Sequence, residues 1–207
     1  MSAHEQAVID AFNSFVRAKA LEAGKGYHEF ALDGQDRDAG ADYLISDKTR
    51  FALIEFKYQE ASIAGEARKV RRKTLCQLLE REVELRKLHD NCHFICWSNS
   101  SHGIDLNIYR HEVCNSQIFG PTAALRSPLP HTATRVAAER FASEFLSQSS
   151  RSLTVAEFEG YLNWLLTKAS VSTLKSVELL ARDHTSESCA VITFPNVRAA
   201  FDWLQSW

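Results

Sequence analysis

Apolar residues recur at two different periods along this chain, and the switches between them mark its elements. Over residues 3–23, Val8, Phe12 and Phe15 form a stripe at helical spacing, flanked by Ala7 and Ala11 and stopped by Gly24 and Gly26. Residues 27–32 then read as a first strand. Gly40-Ala41-Asp42-Tyr43-Leu44-Ile45 and Phe51-Ala52-Leu53-Ile54-Glu55-Phe56-Lys57 are apolar and aromatic-rich, with the turn-like Ser46-Asp47-Lys48-Thr49 between them. That pattern predicts a hairpin. Side chains alternate along a strand, so Glu55 and Lys57 share a face with Phe51 and Leu53, while Ala52, Ile54 and Phe56 take the other. A strand apolar on both faces until its end should be central and covered.

Residues 66–88 read as a second long helix, with Val70, Leu75, Leu78, Leu79 and Leu88 on its inner side, followed by strands at 93–97 and 104–109. Pro121, Pro128 and Pro130 mark residues 120–131 as a linker. Beyond it the pattern predicts helices over 134–148, 154–169 and near 172–182, a strand near 189–194, and a last helix capped by Asn196. Thr154 and Glu157 have capping-box spacing. The expected division is therefore a core over 1–119 and a mostly helical C-terminal module over 132–207. Trp164, Trp203 and Trp207, with Phe158, Tyr161 and Phe201, suit either the packing of that module or a partner surface.

At 207 residues and 45% apolar content the chain can bury a core for one domain and an appendage. A formal charge of −2 excludes a globally basic coat, so any nucleic-acid contact must come from a local patch. Five cysteines without framework spacing imply free thiols and a reducing compartment. The N-terminus lacks the regions of a signal peptide and no apolar run reaches membrane-spanning length, so a cytoplasmic protein is expected. Phosphate-binding, dinucleotide and nucleophile-elbow glycine motifs are absent from the sequence.

The chemistry-bearing residues cluster on the hairpin. Its register should bring Asp42 beside Glu55 and Lys57, two acids and a lysine at the end of a covered strand. Burying such charges is costly unless they are paired. An ordinary cross-strand ion pair would satisfy them, and so would a divalent metal with a phosphate and a water. Asp42, twelve residues, Glu55, one apolar residue and Lys57 resemble the motif of the PD-(D/E)XK nuclease superfamily, with Ala41 where the family name has proline. The resemblance covers residues 1–119 and extends to the order helix, three strands, helix, two strands.

That resemblance implies a restriction-endonuclease-like α/β fold with a mixed central sheet, and Mg²⁺- or Mn²⁺-dependent hydrolysis of DNA. Asp42, Glu55 and the Phe56 carbonyl would hold the metal, and Lys57 would orient the attacking water or stabilise the phosphate. Glu5 would be a third carboxylate, although a capping box with Ser2 explains it equally. Gln77 would join the site, with half of a motif known from recombination-type exonucleases, Arg81 standing where they have tyrosine. Lys69, Arg72, Lys73 and Arg81 form a basic stretch that is either a solvated face or a track for the phosphate backbone. The family's analogy suggests prokaryotic or phage DNA defence and, for double-strand cleavage, a homodimer or a larger complex. RNA as substrate and a non-catalytic assembly subunit are the alternatives.

Two other sets carry less. His89, Cys92, His93 and Cys96 are spaced closely enough for zinc, but a strand over 93–97 would put Cys92 and Cys96 on one face and His93 on the other. Asp33, Asp36 and Asp38 lack the glycine and ligand pattern of an EF-hand.

Overall fold

The computed structural model describes residues 3–32, 40–147, 150–169, 179–183 and 190–206. A mixed, mostly antiparallel sheet is covered by helices on both faces. Helix α1 (Ala3–Glu22) precedes strands β1 (His28–Ala31), β2 (Tyr43–Ser46) and β3 (Arg50–Gln59). A 3₁₀ segment (Glu60–Arg68), α2 (Val70–Arg81) and α3 (Val83–Cys92) lead to β4 (His93–Ser98) and β5 (Ile104–Ile108). After the short α4 (Tyr109–Val113) and α5 (Ser116–Phe119) come β6 (Val136–Ala137), α6 (Ala138–Leu146), β7 (Leu153–Thr154) and α7 (Val155–Trp164). Strands β8 (Leu179–Asp183) and β9 (Ala190–Phe194) and helix α8 (Val197–Gln205) finish the chain.

The strands run β6-β5-β4-β3-β2-β1-β8-β9, with β7 pairing the start of β3. Only β3 and β4 are parallel among the described pairs. The expected hairpin is present, Tyr43 facing Ile54 and Ser46 facing Phe51. Its turn is shaped by Asp47, whose Oδ1 accepts from the Thr49 and Arg50 amides, both at 2.9 Å. Strand β3 is buried from Phe51 to Lys57, as its two-sided apolar pattern requires.

The alternation along β3 divides the core. Ala52, Ile54 and Phe56 pack with Val8, Ile9 and Phe12 of α1 and with Phe141 and Phe145 of α6. Phe51 and Leu53 belong to the opposite cluster, with Leu75 and Leu79 of α2, Phe158 and Tyr161 of α7, and Leu204 of α8. Glu55 and Lys57 lie on this second face by the same alternation.

Several expectations are corrected. The helix expected over 66–88 is broken at Lys69 and Glu82, both with extended ψ (96° and 85°). Neither residue is a helix breaker; Glu82 instead accepts from the Trp164 indole at 3.0 Å, a tertiary contact that no local propensity encodes. Residues 120–131 are not a loose connection. Ala123 and Leu125 are buried, and Ser127 O and Pro128 O accept from the Ser116 and Gln117 amides at 2.9 and 3.1 Å.

The C-terminal region is less helical than expected, since it supplies β6, β7 and β8 to the same sheet besides the expected strand, β9. Of the helix expected near 172–182, residues 179–183 form β8, because β1 has an open edge for them to pair with; residues 170–178 lie outside the described residues. The Thr154–Glu157 capping box and the Asn196 cap form as expected. Trp203 packs on Phe194, 5.3 Å between ring centroids, and Trp164 and Tyr161 are buried, so these aromatics build the core. Trp207 lies outside the described residues.

The cysteines are not all free thiols. Cys76 of α2 and Cys114 after α4 form a disulfide, while Cys92 and Cys96 are reduced and buried. No helix among the described residues is long and apolar enough to cross a membrane.

Candidate active site

The site is built where β2 starts and β3 nears its end. The regular pairing ends at Tyr43 opposite Ile54, and the Asp42 amide donates to the same Ile54 carbonyl at 3.0 Å, one residue out of step with that register. Glu55, Lys57 and Lys69 lie near enough for their charges to act on the Asp42 carboxyl. Asp42 Oδ2 accepts from the Phe56 amide at 2.7 Å. Asp42, Glu55 and Lys57 are thus brought together as expected.

Around Glu55 the structure assembles a compact ionic cluster. Lys57 Nζ pairs with Glu55, lies 3.0 Å from the Phe56 carbonyl and 3.1 Å from Glu66 Oε1. Lys69 Nζ lies 2.7 Å from Glu55 Oε1 and 2.8 Å from Glu66 Oε1. Arg72 Nε approaches Glu66 Oε2 at 3.4 Å, and the Tyr109 hydroxyl donates to the same oxygen at 2.6 Å. Glu55 and Glu66 are 1% and 0% exposed and Arg72 2%, whereas the Lys69 side chain is 40% exposed. Glu55 Oε2 is a buried oxygen without a hydrogen-bond partner among the described residues; Arg72 Nη2 stands 3.9 Å away.

Glu66 is the member that sequence reading missed. It sits inside what reads as the first turn of a continuous helix, just before Arg68 and Lys69. Its burial follows from the break at Lys69, which turns the preceding segment toward β3. A glutamate eleven residues after Glu55, in a stretch of Ala, Ile and Gly, was the one local hint.

The electrostatics assign protonation states. Burial would lower the Lys57 pKa, but Glu55, Glu66 and Asp42 outweigh it and hold the ammonium well above its ordinary value. Lys57 is therefore a permanent cation, not a base. For Glu66, burial is outweighed by Lys57, Lys69 and Arg72, and its carboxylate is held well below the usual range. Asp42 goes the other way: burial and the Glu55 charge push it from 3.8 to about 7.

That shift makes a prediction. A folded-state pKa above the unfolded one means the native protein holds its proton longer, so stability falls as pH rises between the two values. The loss is on the order of 4 kcal/mol once both are passed. Asp42→Asn keeps an oxygen for the Phe56 amide and cannot ionise. In EDTA it is expected to match wild type below about pH 4 and exceed it in stability above about pH 7. Urea unfolding across pH checks this; a gap independent of pH would refute it.

The remaining expected site residues fall elsewhere. Gln77 Nε2 donates to the Ala123 carbonyl at 3.0 Å, one residue from the disulfide, so it braces the 120s turn and does not line the site. Glu5 is half-buried in the first turn of α1. The His4 ring lies 4.8 Å from that of Tyr58, which places this turn past Lys57, and α1 covers the opposite face of the sheet. Glu5 is not grouped with Asp42 and Glu55, and among the described residues no set of three or more His, Cys, Asp or Glu is arranged to hold a metal. Its expected cap, Ser2, lies outside the described residues.

The basic stretch also divides. Arg72 is buried and cannot touch a nucleic acid; Lys69 belongs to the ionic cluster. Lys73 is half-buried and Arg81 exposed on α2. The zinc spacing forms no site: Cys92 and Cys96 pack on opposite faces of the sheet, contrary to the single face expected, because Cys92 ends α3 and is not in β4. Asp33, Asp36 and Asp38 lie outside the described residues.

A divalent cation here would draw on the Asp42 and Glu55 carboxylates and the Phe56 carbonyl, with Lys57 Nζ already paired with Glu55 and 3.0 Å from that carbonyl; Mg²⁺ typically takes only one or two carboxylates, with waters and phosphate completing its shell. Comparison with protein-family models, with curated proteins and with solved structures gave no match in any of the three.

Proposed function

We propose that the chain is a metal-dependent nuclease that hydrolyses DNA phosphodiester bonds, with a restriction-endonuclease-like core. The observation that carries this reading is the meeting of Asp42, Glu55 and Lys57 at the end of a covered strand, with Glu55 Oε2 accepting no hydrogen bond among the described residues. The order α1, β1–β3, helices, parallel β4 and antiparallel β5 supports the same core.

Asp42, Glu55 and the Phe56 carbonyl would hold Mg²⁺ or Mn²⁺. The bound cation would supply a polarised phosphate and a water acidic enough to attack it near neutral pH. Asp42 must give up the proton it holds up to about pH 7 before it can ligate. Lys57, a fixed cation, would stabilise charge growing on the phosphate and donate to the attacking water. Lys69 is exposed enough to leave the carboxylates and meet a phosphate oxygen, and Lys73 and Arg81 would contact the backbone farther along α2.

A second reading has its own support. Lys57, Lys69 and Arg72 already neutralise Glu55 and Glu66, as a purely structural cluster in a non-catalytic DNA-binding or assembly subunit would require. Supercoiled DNA, linear DNA and structured RNA, each incubated with Mg²⁺, Mn²⁺ or EDTA, separate the readings. Nicking that EDTA stops is expected, and DNA should be cut in preference to RNA. Failure to cut any substrate, together with calorimetry showing no metal heat that Asp42→Ala removes, would leave only the second.

A further inference from the structure

Behind Asp42 runs a buried chain of hydrogen bonds whose direction is fully determined. The Gly40 carbonyl can only accept, so His93 Nε2, 2.9 Å away, donates to it. Burial holds His93 and His89 neutral, His93 down to about 3. His93 Nδ1 must then accept, and its partner at 2.8 Å is the Tyr161 hydroxyl. With its one proton committed, Tyr161 accepts from His89 Nδ1 at 2.7 Å. His89 Nε2 is left as an acceptor and receives the Arg110 amide at 3.3 Å. Every donor in this chain has one acceptor, and no proton is missing or surplus.

The chain ends two residues before Asp42. Gly40 has φ +80°, and a Cβ there would come within 3.0 Å of Arg72 Nη1 and 3.1 Å of His93 Cε1. The backbone entering β2 is thus wedged between His93 and Arg72 and tied to His93 by its carbonyl.

We infer that His93 and Tyr161 are positioning residues for Asp42, acting through the Gly40 carbonyl, so that α7 from the C-terminal region is part of the site. The inference rests on reading Asp42 as a site carboxylate. Polar groups behind a metal ligand typically contribute 10–100-fold to affinity or activity.

The test reads Asp42 directly. The Phe56 amide, which donates to Asp42 Oδ2, reports the position of the carboxylate by hydrogen exchange whether or not the protein cuts DNA. His93→Leu and Tyr161→Phe are expected to speed exchange at Phe56 by about tenfold or more, while Val16 and Ala20, in α1 on the other face, stay protected. His93→Gln retains a donor for Gly40 and should restore Phe56 protection. Metal-dependent cleavage should fall about 10–100-fold in the first two variants and recover in the third. Unchanged Phe56 exchange, acceleration of all amides in step, or no rescue by glutamine would each overturn the inference. Absence of cleavage by wild type would sink the nuclease reading alone, since the exchange comparison would still show whether His93 holds Asp42.

Discussion

Alanine at position 57 is expected to lower metal-dependent cleavage of supercoiled DNA by about 10²–10³-fold, the loss typical when one preorganised donor to a developing anion is removed. Lys57 is the cation nearest both Glu55 and the Phe56 carbonyl, and three carboxylates keep it charged. Its loss should leave the fold intact, because Lys69 still pairs both glutamates and Arg72 and Tyr109 still hold Glu66. Arginine should restore little, since a planar guanidinium does not fit between Glu55 and Glu66 as a compact ammonium does. Single-turnover cleavage at saturating metal, alongside a binding isotherm on the same DNA, checks this. A variant that binds and cuts at the wild-type rate would reduce Lys57 to a structural counter-ion.

Glu66→Ala is the substitution expected to destabilise most, by about 3–5 kcal/mol, the range for removing one partner of a buried ionic group. It strips the Tyr109 hydroxyl of its acceptor and Arg72 of its Glu66 partner, and leaves Lys57 and Lys69 sharing Glu55. Glu66→Gln keeps an oxygen for Tyr109 and should cost less. The pH dependence is opposite to that of Asp42. The folded pKa of Glu66 is depressed, so its contribution is complete above the ordinary carboxylate pKa and disappears as pH falls below it. Urea unfolding of the two variants at neutral and acid pH measures this. A loss under about 1 kcal/mol at neutral pH would mean that the cluster is solvated and Glu66 dispensable.

Much of this site was legible before folding. The hairpin announced itself by two apolar runs around a turn-forming stretch, and period-two alternation then assigned each residue of β3 to its face. Phe51 and Leu53 do pack in one cluster and Ala52, Ile54 and Phe56 in the other, so the side on which Glu55 and Lys57 emerge was readable without coordinates. A hairpin was enough to bring Asp42 alongside, although its amide bonds one residue out of the regular register.

What failed to be legible depended on contacts distant in sequence. Helical periodicity runs unbroken through Lys69 and Glu82, yet the helix stops at both, because Glu82 accepts from Trp164 and Glu66 is drawn under β3 by Lys57. The same break takes Arg72 out of solvent. The strand near 190–194 was readable, but β6, β7 and β8 are set by pairing with β5, β3 and β1, and a short apolar run does not show whether an open edge awaits it. Cys76 and Cys114 pair through 38 residues of separation.

By itself, then, the sequence determined the local parts: which stretches are helix or hairpin, which side of β3 is charged, and that two acids and a lysine would meet. These depend on side-chain period and near-neighbour register, both local. The tertiary structure alone decided that Glu66 joins them, that Arg72 is buried and Gln77 is turned away, and that His93 and Tyr161 stand behind Asp42. Each of those outcomes is a competition for burial and for partners among segments far apart in the chain, and such competition has no local signature.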